Sequence, residues 1–363
     1  MAVTTAERTA PITTKRKKNA FSDGQGTLAA ILLAPTLLVM FLVTGIPIVM
    51  SITESFFRVN GGVDPNTGLV NTGTSFVGFA NFTDIFAHPT LVVGVYGSID
   101  RLINAFINTS LFTVVCVVIE TVLGVAMALI MAKAFRGRGL VRASILVPWA
   151  IPTIVSAVMW KLIFNTSGVA NKVLGLTNTP ILWLGDNKYS QMAIIIADVW
   201  KTAPFIGLLT LAGLQTIPAE VYEAAKVDGA NAWQTFVRIT LPMVKPALVV
   251  AVLFRTLDTL RMFDLPYGMI GPDKYSVETL SMFAYQEMNA TRYGTAAAYS
   301  IVLFLYIVLI AFLFVKLLGA DVVGDEELKA VNAQRKRMHE LHRKQAKASG
   351  KVRTTITSGG AAS

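Results

Sequence analysis

Residues 218–242 read Pro218-Ala219-Glu220-Val221-Tyr222-Glu223-Ala224-Ala225-Lys226-Val227-Asp228-Gly229-Ala230-Asn231-Ala232-Trp233-Gln234-Thr235-Phe236-Val237-Arg238-Ile239-Thr240-Leu241-Pro242, a polar, helix-forming island between two long apolar segments. Pro218 suits a first helical turn, where a missing N–H costs nothing. Glu220 near that start complements the helix dipole. Glu223-Ala224-Ala225-Lys226 are strong helix formers, and Asp228-Gly229 interrupts them because glycine accepts the positive φ of a sharp turn. Beyond the turn Trp233, Phe236 and Val237 fall on one face, and Pro242 is expected to end the second helix. The stretch predicts a helix–turn–helix with one apolar face and an exposed acid, Glu223. Periodicity alone leaves two readings open: a loop lying on lipid or on its own spans, and a handle for another protein.

The flanking segments settle the setting. The chain has 363 residues, 53% hydrophobic and only 15% charged, with mean hydropathy +0.57. A soluble domain carries about 25% charged residues, so the composition points to an integral membrane protein. Six apolar runs are long enough to span: Leu28–Ile52, Ala105–Ala132, Ala143–Phe164, Gln191–Leu214, Val244–Pro266 and Ala296–Val315. In lipid the backbone must bond within each segment, so helices are expected. The first run is too long for the core of a cleaved signal. The expected fold class is therefore all-α, a polytopic membrane protein of six transmembrane helices, with basic tails at residues 1–27 and 319–363 around a membrane domain at 28–318.

Charge orients these spans. The net charge is +10. Lys15-Arg16-Lys17-Lys18, then Lys133, Arg136, Arg138 and Arg142, then Lys226, Arg238 and Lys245, and finally the tail beyond Lys316 hold most of the cations. By the positive-inside rule both termini and the loop 216–243 are expected to be cytoplasmic, and the long segment 54–104 an extracytoplasmic cap. Arg335–Lys347 suggests a basic amphipathic helix or a solvated tail, and Thr354–Ser363 has a disordered composition.

The fifth run contains Arg255, Asp258, Arg261 and Asp264. A charge at mid-bilayer costs on the order of 3 kcal/mol, so these must pair or face water. Their i, i+3 spacing allows Arg255–Asp258, Asp258–Arg261 and Arg261–Asp264 pairs on one side of a helix. Either an ion-pair ladder or a polar cavity fits. Glu120 in the second run is read first as a partner for a neighbouring helix. Trp149, Trp160 and Trp183 are read as interface anchors.

Glu223-Ala224-Ala225, Asp228-Gly229-Ala230, Phe236, Ile239, Leu241 and Pro242 resemble the "EAA" loop of bacterial ABC importer membrane subunits. Pro148-Trp149-Ala150-Ile151-Pro152, Phe254-Arg255-Thr256-Leu257-Asp258 and Tyr293-Gly294-Thr295-Ala296-Ala297-Ala298 are similar to the carbohydrate-uptake, maltose- and trehalose-type branch. Ile270-Gly271-Pro272 departs from the Gly-Gly-Pro of many relatives. The resemblance implies the type I permease fold and a permease subunit for a disaccharide or oligosaccharide such as trehalose or maltose. It implies ATPase-coupling roles for Glu223, Ala224, Ala225, Asp228, Gly229, Ala230, Phe236 and Pro242. It implies sugar contacts at Trp200, Leu257, Asp258 and Arg261, with Lys201, Arg255 and Asp264 beside them and Asp198 near enough to take part. The implied partners are a second homologous permease, two cytoplasmic ATPase subunits that carry ATP and Mg, an extracytoplasmic solute-binding protein, and membrane lipid.

Other classes have less support. Gly137-Arg138-Gly139 lacks the following Lys-Ser/Thr of a phosphate loop, so no cofactor is expected in this chain. A lone Cys116 and three histidines exclude cysteine- or histidine-rich metal sites, and no nucleophile–base set suggests an enzyme. Nor does the placement of the cations suggest nucleic acid. Rival readings are a glycerol-phosphate or other polar-solute importer on the same plan, and an ion-coupled secondary transporter.

Overall fold

A computed structural model describes residues 20–59, 73–87 and 90–316, with isolated residues 334 and 338. Residues 60–72 of the expected cap, and the tail expectations for Arg335–Lys347 and Thr354–Ser363, lie outside the described residues.

Helices dominate. α1 (Ala20–Met40) passes through a π turn (Phe41–Gly45) into α2 (Ile46–Glu54). Two short antiparallel ribbons follow, β1 (Phe57–Val59) with β2 (Thr74–Phe76) and β3 (Leu91–Gly94) with β4 (Gly97–Asp100), separated by α3 (Ala80–Ala87). α4 (Arg101–Ala132) is capped by Asp100, whose carboxylate accepts from the Ile103 N–H at 3.2 Å. Next come α5 (Arg138–Ala150), α6 (Thr153–Ile163) and the short α7 (Val169–Val173). α8 (Asn187–Gln215) starts on Asp186, which accepts from the Lys188 and Tyr189 N–H groups. α9 (Ala219–Val227), α10 (Ala232–Thr235), α11 (Leu241–Leu260), α12 (Asp264–Met269), α13 (Leu280–Asn289) and α14 (Tyr293–Phe314) complete the order.

Among the described residues five helices are long and apolar enough to cross a membrane, and α5 with α6 makes a sixth if that bent pair is one span. α4 and α8 form the central pair. Their backbones approach at Gly124, where an added Cβ would lie 2.8 Å from the Ile206 side chain, the small-residue packing that helices use in lipid. The first span, Leu28–Glu54, has none of its apolar window buried and meets α14 and β1 through α2.

Two predicted spans need correction. Ala143–Phe164 is not one helix: α5 and α6 diverge by 94°. Ile151 precedes Pro152 and is driven to an extended φ of −72°, ψ 133°, and Pro152 then opens α6. The expected Val244–Pro266 span instead runs Ala232–Leu260. Pro242 does not end the second loop helix. A π turn over Phe236–Thr240 lets the Leu241 N–H reach back to the Phe236 carbonyl, so the ladder is already shifted where proline withholds its N–H. At the other end the helix stops at Leu260, and Arg261 through Phe263 leave it.

The described residues of the 54–104 segment pack on one another and on the bundle. Asn81, fully buried, donates to the Ser55 and Phe57 carbonyls at 2.8 Å each, and Arg58 donates to its Oδ1 at 3.1 and 3.2 Å. The cap sits so close to the start of α14 that a Cβ on Gly294 would lie 1.8 Å from the Phe57 oxygen. Arg101 then holds the 270–279 loop by a bidentate pair with Glu278 at 2.6 and 2.9 Å and stacks over Phe283. Burial pushes the Glu278 carboxyl above its ordinary range, and the Arg101 bonds offset part of that.

Candidate functional site

Two places carry the residues singled out by the sequence. The first is a cavity of about 570 Å³ bounded by the α5–α6 break, α8, and the end of α11 with the residues after it. Arg255 is at its floor, 3% exposed. Its Nε donates to Glu120 Oε2 at 2.6 Å and its Nη2 to Glu120 Oε1 at 3.1 Å. Nη1 donates to Asp258 Oδ2 at 2.7 Å, and Nη2 also bonds Asp198. A rigid guanidinium fork suits this three-way sharing. Thr202 Oγ1 lies 2.6 Å from Glu120 Oε1. The Cys116, Glu120 and Asp198 ligand atoms lie within 4.8 Å of one another, but the charge that such a group would hold is supplied by Arg255.

The cavity wall balances three carboxylates (Asp198, Asp258, Asp264) with three cations (Lys201, Arg255, Arg261). Arg255 is saturated by its partners. Asp258 and Arg261 are open, with side chains 55% and 71% exposed and a loose 3.5 Å contact between them. Lys201 Nζ donates to the Ile151 carbonyl at 2.6 Å, tying α8 to the carbonyl freed at the helix break. The wall thus offers an acceptor, a donor fork, an ammonium, and the Trp149 and Phe263 side chains. That mixture can bind a polyhydroxylated solute through paired hydrogen bonds and C–H contacts.

The structure brings together Lys201, Arg255, Asp258, Arg261 and Asp264, but not all the predicted contacts. Trp200 lines a separate apolar recess with Leu123 and Pro148 and meets Trp160 edge-on at 5.6 Å. Leu257 is half-buried and is not on the cavity wall. The expected Arg261–Asp264 pair is not formed among the described residues, because the helix ends before it and the i, i+3 geometry is lost. Glu120 does pair with a neighbouring helix. Trp149 reaches the cavity instead of acting only as an anchor, and Trp183 is buried in the core, its Nε1 donating to Asn171 Oδ1 at 3.1 Å. The two prolines around Ala150-Ile151 were the available signal for Trp149.

The second place is the loop 216–243. α9 ends in a glycine cap: the Gly229 N–H donates to the Lys226 carbonyl at 3.1 Å and the Ala230 N–H to the Ala225 carbonyl at 2.9 Å, with Gly229 at φ 75°. Asn231 and Gln234 then form a reciprocal capping box, at 2.8 and 2.9 Å, a device whose spacing is visible in the sequence. Ala225 is buried toward the bundle, whose cluster of Met131, Leu211, Leu214, Ile217 and Val244 packs on Val221 and Tyr222. Glu223, Ala224 and Asp228 are exposed, Val227 is 88% exposed and Trp233 71%. Phe236 is half-buried beside Trp233, at 5.9 Å between rings, and Pro242 stands in the first turn of α11. One face of the loop is seated on the bundle and the other is presented outward.

Residues 120–323, which include the Arg255 hub and this loop, match the model of the binding-protein-dependent transport system inner membrane component family. The chain belongs to that family. The chain is 37% identical over 302 residues to the trehalose transport system permease protein SugA of Mycobacterium tuberculosis, covering 82% of this chain and 91% of that one. It is 44% identical over 216 residues to the trehalose/maltose transport system permease protein MalF of Thermococcus litoralis, covering 59% and 73%. It is 34% identical over 285 residues to the sulfoquinovosyl glycerol transport system permease protein SmoG of Agrobacterium fabrum, covering 77% and 87%. Its fold resembles a chain of the crystal structure of a bacterial ABC transporter that imports the acidic polysaccharide alginate, at TM-score 0.66 and 22% identity, over 81% of this chain and 96% of that one. The chain therefore has the ABC importer permease fold.

Proposed function

We propose that this component is half of the translocation pathway of an ATP-driven importer for a disaccharide or short oligosaccharide, trehalose or maltose being the favoured cargo. The observation that carries the reading is the cavity in which Asp258 and Arg261 stand open beside Trp149 and Phe263. Two of the relatives above are named for trehalose or maltose, which supports the sugar class. The exposed face of the loop 216–243 supports a docking role. In this reading both termini and that loop are cytoplasmic. Two ATPase subunits, which bind ATP and Mg, grip the loop at Glu223, Ala224, Asp228 and Trp233. A second, homologous permease completes the pathway, and a solute-binding protein delivers sugar from outside. ATPase closure moves the loop, the pathway opens outward, and Asp258 and Arg261 exchange water for sugar hydroxyls.

A phosphate-bearing cargo is less well served, because three carboxylates already surround Arg255. The test is co-purification with the permease, ATPase and binding protein encoded beside it, followed by ATP hydrolysis in nanodiscs. Trehalose- or maltose-loaded binding protein should stimulate hydrolysis over unloaded protein. Stimulation by glycerol phosphate instead moves the cargo class, and uptake that persists with no ATPase subunit sinks the whole reading.

A further inference from the structure

A cavity of about 840 Å³ opens between the ends of α4 and α8, the start of α5 and the inner side of the loop 216–243. Its charged lining is Lys133, Arg142 and Lys226, and none of its lining residues is acidic. Among the described residues none of these three cations has an ion-pair partner. Arg142 is fixed at the wall, its Nε and Nη2 donating to the Met131 carbonyl at 3.0 and 2.5 Å. Toward the bundle the wall turns apolar, with Leu129, Leu214 and Phe236. The cations stand where two spans end, at Ala132 and Gln215.

We propose that this cavity holds the headgroup of an anionic phospholipid. Its phosphate lies among Lys133, Arg142 and Lys226, and the first segments of its acyl chains lie against Leu129, Leu214 and Phe236. Three features select that ligand. Concentrated positive charge at the end of the spans attracts anionic headgroups. A guanidinium held by its own backbone bond presents its remaining donors at no further ordering cost. With no carboxylate in the lining, nothing offsets the cationic end of a zwitterionic headgroup. The three cations come from three elements: the residue after α4, α5 and α9. A bound phosphate therefore ties the loop 216–243 to the bundle. This inference rests on membrane embedding and not on the cargo.

The experiment uses the full chain in detergent with dioleoylphosphatidylglycerol, dioleoylphosphatidylcholine and inorganic phosphate, read by native mass spectrometry. Phosphatidylglycerol should be retained and phosphatidylcholine lost. The K133Q/K226Q double variant, which leaves the Arg142–Met131 bond alone, should retain about thirtyfold less phosphatidylglycerol at an unchanged thermal midpoint. Equal retention of phosphatidylcholine overturns headgroup recognition. Undiminished binding by the double variant places the lipid elsewhere and overturns the site. Displacement by millimolar inorganic phosphate makes it a free-anion site and also overturns the proposal. If the double variant does not fold, photo-crosslinking of the parent chain with a photoreactive phosphatidylglycerol decides. Label on peptides covering 129–142 and 214–240 supports the site, and label confined to other peptides overturns it.

Discussion

Arg255 and Glu223 both lie in the family-matched part of the chain, and their surroundings are opposite. Arg255 is enclosed by Glu120, Asp198 and Asp258 from three helices, so its charge is fully answered within the chain. Glu223 stands exposed on α9, as do Ala224 and Val227 on the same helix and Trp233 beyond the turn. A charge satisfied within the chain holds the fold, whereas an exposed one is free to meet a partner, the role proposed above for Glu223. By the same standard Asp258 and Arg261, on the open side of the hub, belong with Glu223 rather than with Arg255.

The contrast can be broken most sharply at its buried end. Arg255→Met should cost about 3–5 kcal/mol, because it strands two buried carboxylates, and thermal unfolding in detergent should show it. The E120Q/D198N/R255M triple variant should recover much of that loss. A stable single variant would mean that the hub is not structural. At the open end Glu223→Ala should leave unfolding within about 0.5 kcal/mol of the parent while lowering sugar-stimulated ATP hydrolysis about tenfold, the loss of one charge-assisted contact. A fall in stability instead would move Glu223 into the same group as Arg255. Asp258→Asn should raise the half-saturating concentration of loaded binding protein or sugar several-fold, roughly 1 kcal/mol, with the maximal rate retained. An unchanged half-saturation would confine Asp258 to its bond with Arg255. The smallest effect is expected for Asn231→Ala, about 0.5–1 kcal/mol from losing the capping box, seen as faster amide exchange confined to 231–235.

How much of this was legible follows from the range of each interaction. The spans and the glycine-capped loop are written in local residues: apolar runs, Pro218, and Gly229 after Asp228. The hub is not, because the Arg255–Glu120 and Arg255–Asp198 bonds join residues 135 and 57 positions apart. Reading i, i+3 spacing alone gave Arg255 only Asp258 as a partner and invented a pair at Arg261–Asp264. The place of Trp200 was equally hidden: it adjoins Lys201 in sequence, yet successive residues on a helix point about 100° apart, and the two side chains enter different recesses. The α5–α6 bend has a local cause in Ile151-Pro152, legible in the sequence as a proline kink although hydropathy counts only apolar length.

Because the π turn lets the chain run past Pro242 unbroken, Ala232 and Leu260 are the two ends of a single 29-residue rod. At about 1.5 Å per residue the rod is roughly 43 Å long, and a tilt of about 10° carries its far end roughly 7 Å. The outward-facing Trp233 sits near one end and Asp258 near the other. In the proposed cycle, a push applied near Trp233 would reach the cavity as a tilt of this one helix, with a stroke set by its length and pivot position.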